Sequence, residues 1–193
     1  ASVGVRTRRV YLDLLGLLPS WQTVKQQQAS RDPDRFERLV DHVLASPRYG
    51  ERWGRHWLDL ARYADSTGYE SDRPRVIWMY RDWVIDALNQ DLRFDQFVRQ
   101  QVAGDLYPAA TPSQRIATGF FCNGMYDPGV RWEHIIDRLN TVGTVFLGLT
   151  LGCAQCHDHK TDPLSQHEFY QLYAFLNEAK MTTVRREHGK LIV

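Results

Sequence analysis

The sequence predicts an all-α domain, an irregular multi-helix fold. Three observations lead there. Apolar residues recur at i, i+3, i+4 and i+7 over most of the 193 residues. Four helix-start signals, Asp32-Pro33, Ser46-Pro47, Thr111-Pro112 and Ser165-Gln166-His167-Glu168, stand directly before such stripes. No alternating run of useful strand length and no internal repeat interrupts them.

The elements follow in order. After Asp32-Pro33, Phe36, Leu39, Val40, Val43 and Leu44 make one apolar face. The helix opened by Ser46-Pro47 is expected over 47–64, with Tyr49, Trp53, His56, Leu60 and Tyr63 as an inward stripe at steps of four and three. A third helix is expected over 76–89 through Tyr80, Trp83, Val84 and Ala87. A fourth runs over 94–103 and is stopped by Gly104. Thr111-Pro112 starts a fifth with Ile116, Ala117 and Phe120 inward. Trp132, Ile135, Ile136, Leu139, Val142, Phe146 and Leu149 form the longest stripe, read as one helix over 132–152 that runs into Cys153. The capping box at Ser165 opens the last helix, with Phe169, Leu172, Tyr173 and Leu176 inward. The segments 65–75, 104–112 and 122–131 are loops rich in Gly, Pro, Asp and Ser. Residues 1–180 read as one module, and 181–193, basic and weakly patterned, as a tail or linker to a further domain.

Composition removes several partners. Lys and Arg total 24 against 23 Asp and Glu, so no strong field draws the chain to nucleic acid or anionic lipid. No apolar run approaches the roughly 20 residues of a membrane span. The first residues, Ala1-Ser2-Val3-Gly4, do not read as a signal peptide. A removed signal or a fragment of a longer chain is expected. Aromatic residues are plentiful, with 6 Trp, 9 Tyr and 8 Phe, a supply that suits an aromatic-rich core or a large flat ligand.

The chemistry concentrates in "GCAQCHDHK", residues 152–160, which holds two of the three cysteines. Cys-x-x-Cys-His is the attachment signature of a c-type haem. Two intervening residues let both thiols reach the vinyl-bearing edge of the macrocycle from one helical turn, and His157 then ligates the iron as proximal ligand. Two other chemistries share the spacing. A thioredoxin-like pair needs a βαβ setting and a helix N-terminus, which an all-helical pattern does not supply. A zinc-stapled interaction module could draw Cys153, Cys156, His157 or His159, and His167. Covalent haem c is the leading expectation, with the helices wrapped round it. Thioether attachment takes place outside the bacterial cytoplasmic membrane, so a periplasmic or secreted location is expected. Cys122 stands alone and is expected to be a free thiol.

Three stretches are recognisable: "SPRYGERWGRHWLDLARYADSTGYESDRPR" (46–75), "YRDWVIDALNQDLRFDQFVRQQVAGDL" (80–106) and "DRLNTVGTVFLGLTLGCAQCHDHKTDPLSQHEFYQLYAFLNE" (137–178). Together the chain resembles the planctomycete cytochrome C-type domain family over about residues 5–180. That resemblance implies haem bound at Cys153 and Cys156 with His157 on the iron. It also implies that the module sits in a larger exported polypeptide beside other redox domains. Members accompany polysaccharide degradation, which makes a carbohydrate a possible substrate by association only.

The second axial position of the iron separates a carrier from a catalyst. His56, placed between Trp53 and Leu60, is the candidate distal ligand or proton-moving group. Tyr63 is expected beside it in the haem pocket. His159, two residues from His157, cannot reach the far face of the ring and is expected near a propionate or behind the ligand. Met79 and Met125 are the next distal candidates. His42, His167 and His188 are expected on the surface or in the tail, and His134 could face either way. The charged groups Asp59, Arg62, Asp65, Asp72, Arg73 and Arg75 are expected as structural ion pairs, as are Arg81-Asp82 and Asp137-Arg138. Two functions follow: electron transfer through a six-coordinate iron, or a haem oxidoreductase with an open distal site acting on a carbohydrate or a peroxide.

Overall fold

A computed structural model of the chain describes residues 1–68, 70, 72–124 and 130–179, together with the backbone of 185–187 and 190–192. Nine α-helices appear among them: α1 Val3–Leu15, α2 Trp21–Ala29, α3 Arg35–Leu44, α4 Arg48–Leu60, α5 Trp78–Asn89, α6 Phe94–Ala103, α7 Pro112–Ala117, α8 Arg131–Val142 and α9 Gln166–Asn177. The all-helical expectation holds. One short antiparallel pair, β1 Arg185–Glu187 with β2 Lys190–Ile192, lies in the segment read as a tail. None of the described helices is long and apolar enough to cross a membrane.

Two compact units divide the chain, Ala1–Leu58 with Val84–Arg93, and Asp59–Trp83 with Phe94–Val193. The first holds two helices that the apolar pattern did not announce. α1 begins where the Ser2 hydroxyl accepts the Val5 N–H and ends at Gly16 in the left-handed region, φ 68°. α2 begins at Ser20, whose hydroxyl accepts the Thr23 N–H. Both α2 and α3 pack against α1; Leu39 and Val43 of α3 are buried, whereas Phe36 and Leu44 of the expected stripe are exposed.

The inward face of α4 differs from the expected one. Gly50 and Gly54 are buried, whereas Trp53, His56 and Leu60 are exposed. The physical reason is closeness of approach. A Cβ on Gly50 would lie 2.4 Å from the Ile85 carbonyl oxygen, and one on Gly54 would lie 3.3 Å from the Ile85 side chain. Asn89 clamps the same contact, its Oδ1 accepting the Gly50 N–H at 2.8 Å and its Nδ2 donating to the Pro47 carbonyl at 3.1 Å. Small residues four apart thus selected the face, and bulk was left outside. Gly50→Ala should cost about 1–3 kcal/mol, because the obstacle is backbone oxygen. Chemical denaturation reads the loss as a lower midpoint at constant slope.

In the second unit, Trp83 stacks on Phe97 at 5.2 Å, and the Tyr80 hydroxyl donates to Gln101 Oε1 at 2.7 Å in full burial. Gly119 lies against the Tyr80 side chain. A second core joins Leu139 of α8, Leu151, Ala154 and Phe169 of α9, with Ile136, Leu149, Leu164, Leu172, Tyr173 and Leu176 around them. This core carries the Cys-x-x-Cys-His loop.

The long helix expected over 132–152 is broken. α8 ends at Val142, a π-helical turn covers Gly143–Leu147, and Gly148 at φ 66° reverses the chain. The Gly143 carbonyl accepts both the Gly148 and the Leu149 N–H groups. Gly143 also has no room for a side chain, since its Cβ would meet Leu151 Cγ at 2.3 Å. Leu151 therefore folds back onto the helix that precedes it. A stripe at helical spacing cannot distinguish this return from continuation.

Candidate functional site

The return through Gly148 delivers a 3₁₀ turn, Leu151–Gln155, capped by Cys156. Its buried residues, Leu151 and Ala154, face the core. Cys153 and Cys156 face solvent as free thiols. In a 3₁₀ turn residues three apart eclipse one another, so Cys-x-x-Cys presents both sulfurs on one side. Gly152 packs closely on Asn140: a Cβ there would sit 3.1 Å from the Asn140 Oδ1.

His157 follows on the exposed side. Its Nδ1–H donates to the Asp158 carbonyl at 2.7 Å, which leaves Nε2 with its lone pair for a metal. His159 does the opposite work. Its Nδ1 accepts the Asp162 N–H at 2.9 Å and the Thr161 N–H at 3.3 Å, and its Nε2 faces the Thr150 hydroxyl at 3.4 Å. With its side chain only 7% exposed, His159 staples the loop from within. The His159 N–H adds a bond to the Leu164 carbonyl at 2.8 Å.

Helix α9 closes the loop. Its capping box at Ser165 and Glu168 stands as the sequence predicts, and Ser165 N–H and hydroxyl bonds hold the Glu168 carboxyl below its ordinary value. The Gln166 N–H, one of the first-turn donors that a helix leaves unpaired, donates to Asp158 Oδ1 at 2.8 Å. The Gln155 carbonyl accepts Gln166 Nε2 at 3.0 Å and the Tyr170 hydroxyl at 3.1 Å. Sequence pattern did not mark Gln155, Asp158, Gln166 or Tyr170, because these bonds join residues by tertiary geometry. The Asp directly after Cys-x-x-Cys-His was the one visible hint.

Other expected residues have other partners. The Tyr63 hydroxyl donates to Asp65 Oδ1 at 2.6 Å. Burial first, then that carboxylate, pushes it up to about 12, so it stays a proton donor. His56 is exposed, its ring 5.4 Å from that of Trp53. Arg62, at φ 56°, makes a two-pronged pair with Asp137 at 2.7 and 2.8 Å and bonds Thr141 as well. Asp137 thus pairs with Arg62, and Arg138 donates to the Phe121 carbonyl at 3.0 Å. Arg81 and Asp82 do pair, at 2.8 Å. Arg75 binds the carbonyls of Ser66, Cys122 and Gly124, tying the 65–75 loop down. His42 and His167 are exposed. Met125, Met181 and His188 lie outside the described residues.

Cys122 is a free thiol, as expected, and burial pushes its pKa up. Because thiolate and access both govern alkylation, Cys153 and Cys156 should react with iodoacetamide at least about tenfold faster than Cys122 in the native haem-free chain. Peptide mapping reads the order, and equal labelling of all three would contradict it.

The donor chemistry fits a covalent haem c: two accessible thiols on one side of a turn, and an imidazole whose outer nitrogen is free. Among the described residues no group of three or more His, Cys, Asp or Glu converges as a metal site. The inward nitrogens of His159 are already spent on the loop.

A family model described as "PSCyt2: Protein of unknown function (DUF1549)" matches residues 1–181. No curated protein matches the chain, and no solved structure does.

Proposed function

The chain belongs to the PSCyt2 family of unknown function, and from its own residues we propose that it is a c-type haem redox module that transfers electrons. The observation that carries this reading is the Leu151–Gln155 turn, with the free thiols of Cys153 and Cys156 exposed and His157 held as the Nδ1–H tautomer. The resemblance to planctomycete cytochrome C-type modules supports it.

In this reading Cys153 and Cys156 hold the group. Each thiol would add its S–H across a vinyl C=C, exchanging an S–H bond and a π bond for an S–C and a C–H bond, with no oxidant required. His157 would offer Nε2 to the iron, and the Asp158 carbonyl, which takes its Nδ1–H, would raise its basicity. Bound haem would supply a one-electron iron couple. Leu151 and Ala154 anchor the turn in the core, and His159 keeps the loop from opening, so the ligand changes little in position as charge changes. The periplasm or the exterior of a bacterium is the matching location, and other redox domains of the same polypeptide are the matching partners.

The test is a pyridine haemochrome spectrum of chain exported in a host that matures c-type cytochromes. The reading predicts stoichiometric haem with the band shift of two saturated vinyl positions. Absence of haem, or a spectrum of unreacted vinyl groups, rejects it.

A further inference from the structure

The geometry points to Asp158 as a positioning residue that sets the tautomer and orientation of His157. The inference rests on the haem reading for its purpose, but the bonds it invokes belong to the chain alone. The carbonyl that accepts His157 Nδ1–H at 2.7 Å is Asp158's own. That carbonyl shares a peptide unit with the His159 N–H, which donates to the Leu164 carbonyl at 2.8 Å. The peptide plane is thus fixed at its nitrogen end by a backbone bond and aimed at the imidazole from its oxygen end.

The Asp158 side chain supplies the second anchor. Its Oδ1 accepts the Gln166 N–H at 2.8 Å at the start of α9, a place where a helix has spare donors and favours negative charge. Side chain and carbonyl of one residue therefore point to different masters, the carboxylate to α9 and the carbonyl to His157. Without the first bond, rotation about the Asp158 backbone is restrained only from the His159 side, and the carbonyl can turn from the ring. An exposed imidazole with no fixed acceptor samples both tautomers, and the Nε2–H form has no Nε2 lone pair to offer iron.

Three forms of the full chain discriminate the idea: parent, Asp158→Ala and Asp158→Asn. Asparagine keeps an oxygen acceptor for the Gln166 N–H; alanine does not. Long-range proton–nitrogen NMR on haem-free chain, at a pH where His157 is neutral, reads the tautomer directly. The parent and D158N should show His157 mainly as Nδ1–H. D158A should shift the tautomer ratio roughly fivefold or more toward Nε2–H, the size one lost hydrogen bond produces. In haem-loaded chain, D158A should move the reduction potential and the Soret band of the oxidised form, and D158N should restore both towards the parent. An unchanged tautomer in D158A overturns the proposal, as does a D158N that behaves like D158A. Loss of the helical circular dichroism signal in D158A also overturns it, by making Asp158 a folding residue. Failure of the haem reading shows separately, as exported parent chain without haem, and leaves the tautomer result to stand or fall by itself.

Discussion

Changing Cys153 and Cys156 together to alanine should abolish covalent haem while leaving the helical fold intact. Both sulfurs are exposed and make no core contact; the buried neighbours that secure the turn are Leu151 and Ala154. Removing two exposed thiols forfeits little burial, so stability should change by less than about 1 kcal/mol. Attachment should fall from one haem per chain to none. Each single variant keeps one thioether and His157, so haem should stay bound through one linkage, with reduced yield. Haem content per chain and the thermal midpoint measure the two effects independently. A double variant that still carries covalent haem would show that the thiols are not the attachment points.

Gly143→Ala should lower stability and should also damage the site. The added methyl would lie 2.3 Å from Leu151 Cγ, 2.6 Å from its Cδ1 and 3.1 Å from the Leu149 carbonyl oxygen. Neither neighbour yields easily. Leu151 is 1% exposed and part of the core with Leu139 and Phe169, and the Leu149 oxygen is main chain. Overpacking of this kind costs about 1–3 kcal/mol, with the upper end expected here. Because Leu151 begins the turn that bears Cys153, relief of the clash shifts the thiols as well. Lower thermal stability should therefore accompany poorer haem attachment. A Gly143→Ala chain as stable as its parent would mean that Leu151 does not sit where this packing puts it.

Local signals carried most of the helices. The capping boxes at Thr111–Gln114 and Ser165–Glu168 start α7 and α9 as their spacing says, because capping involves neighbours along the chain. The same holds for the stop of α6 before Gly104. Faces and breaks were harder to read. On α4 the aromatic stripe and the Gly50–Gly54 stripe lie about 100° apart on one helix, and hydropathy prefers the wrong one. Only the partner's backbone, at Ile85, decides in favour of glycine. After Val142 the apolar rhythm persists although the helix ends, since Leu151 is buried and Leu149 partly buried by folding back and not by continuing.

The site divides in the same way. Cys153, Cys156 and His157 could be singled out because the chemistry proposed for them depends on spacing along the chain. Both nitrogens of His159 serve the loop from Thr150 to Asp162. Its two-residue distance from His157 says which side it cannot reach but not what it holds. The Asp158–Gln166 bond crosses eight positions, and nothing in residue type alone marks it. Tyr63 has its partner at Asp65, two residues on.

The most direct measurement is mass spectrometry of the tryptic fragment that follows Arg138 and ends at Lys160, taken from chain exported in a host that matures c-type cytochromes. This fragment contains Cys153, Cys156 and His157 and excludes Cys122. The account predicts one haem added to its mass, retained through acid and organic extraction, with both cysteines resistant to alkylation after reduction. A fragment of unmodified mass with two alkylatable thiols, from the same preparation, would contradict it.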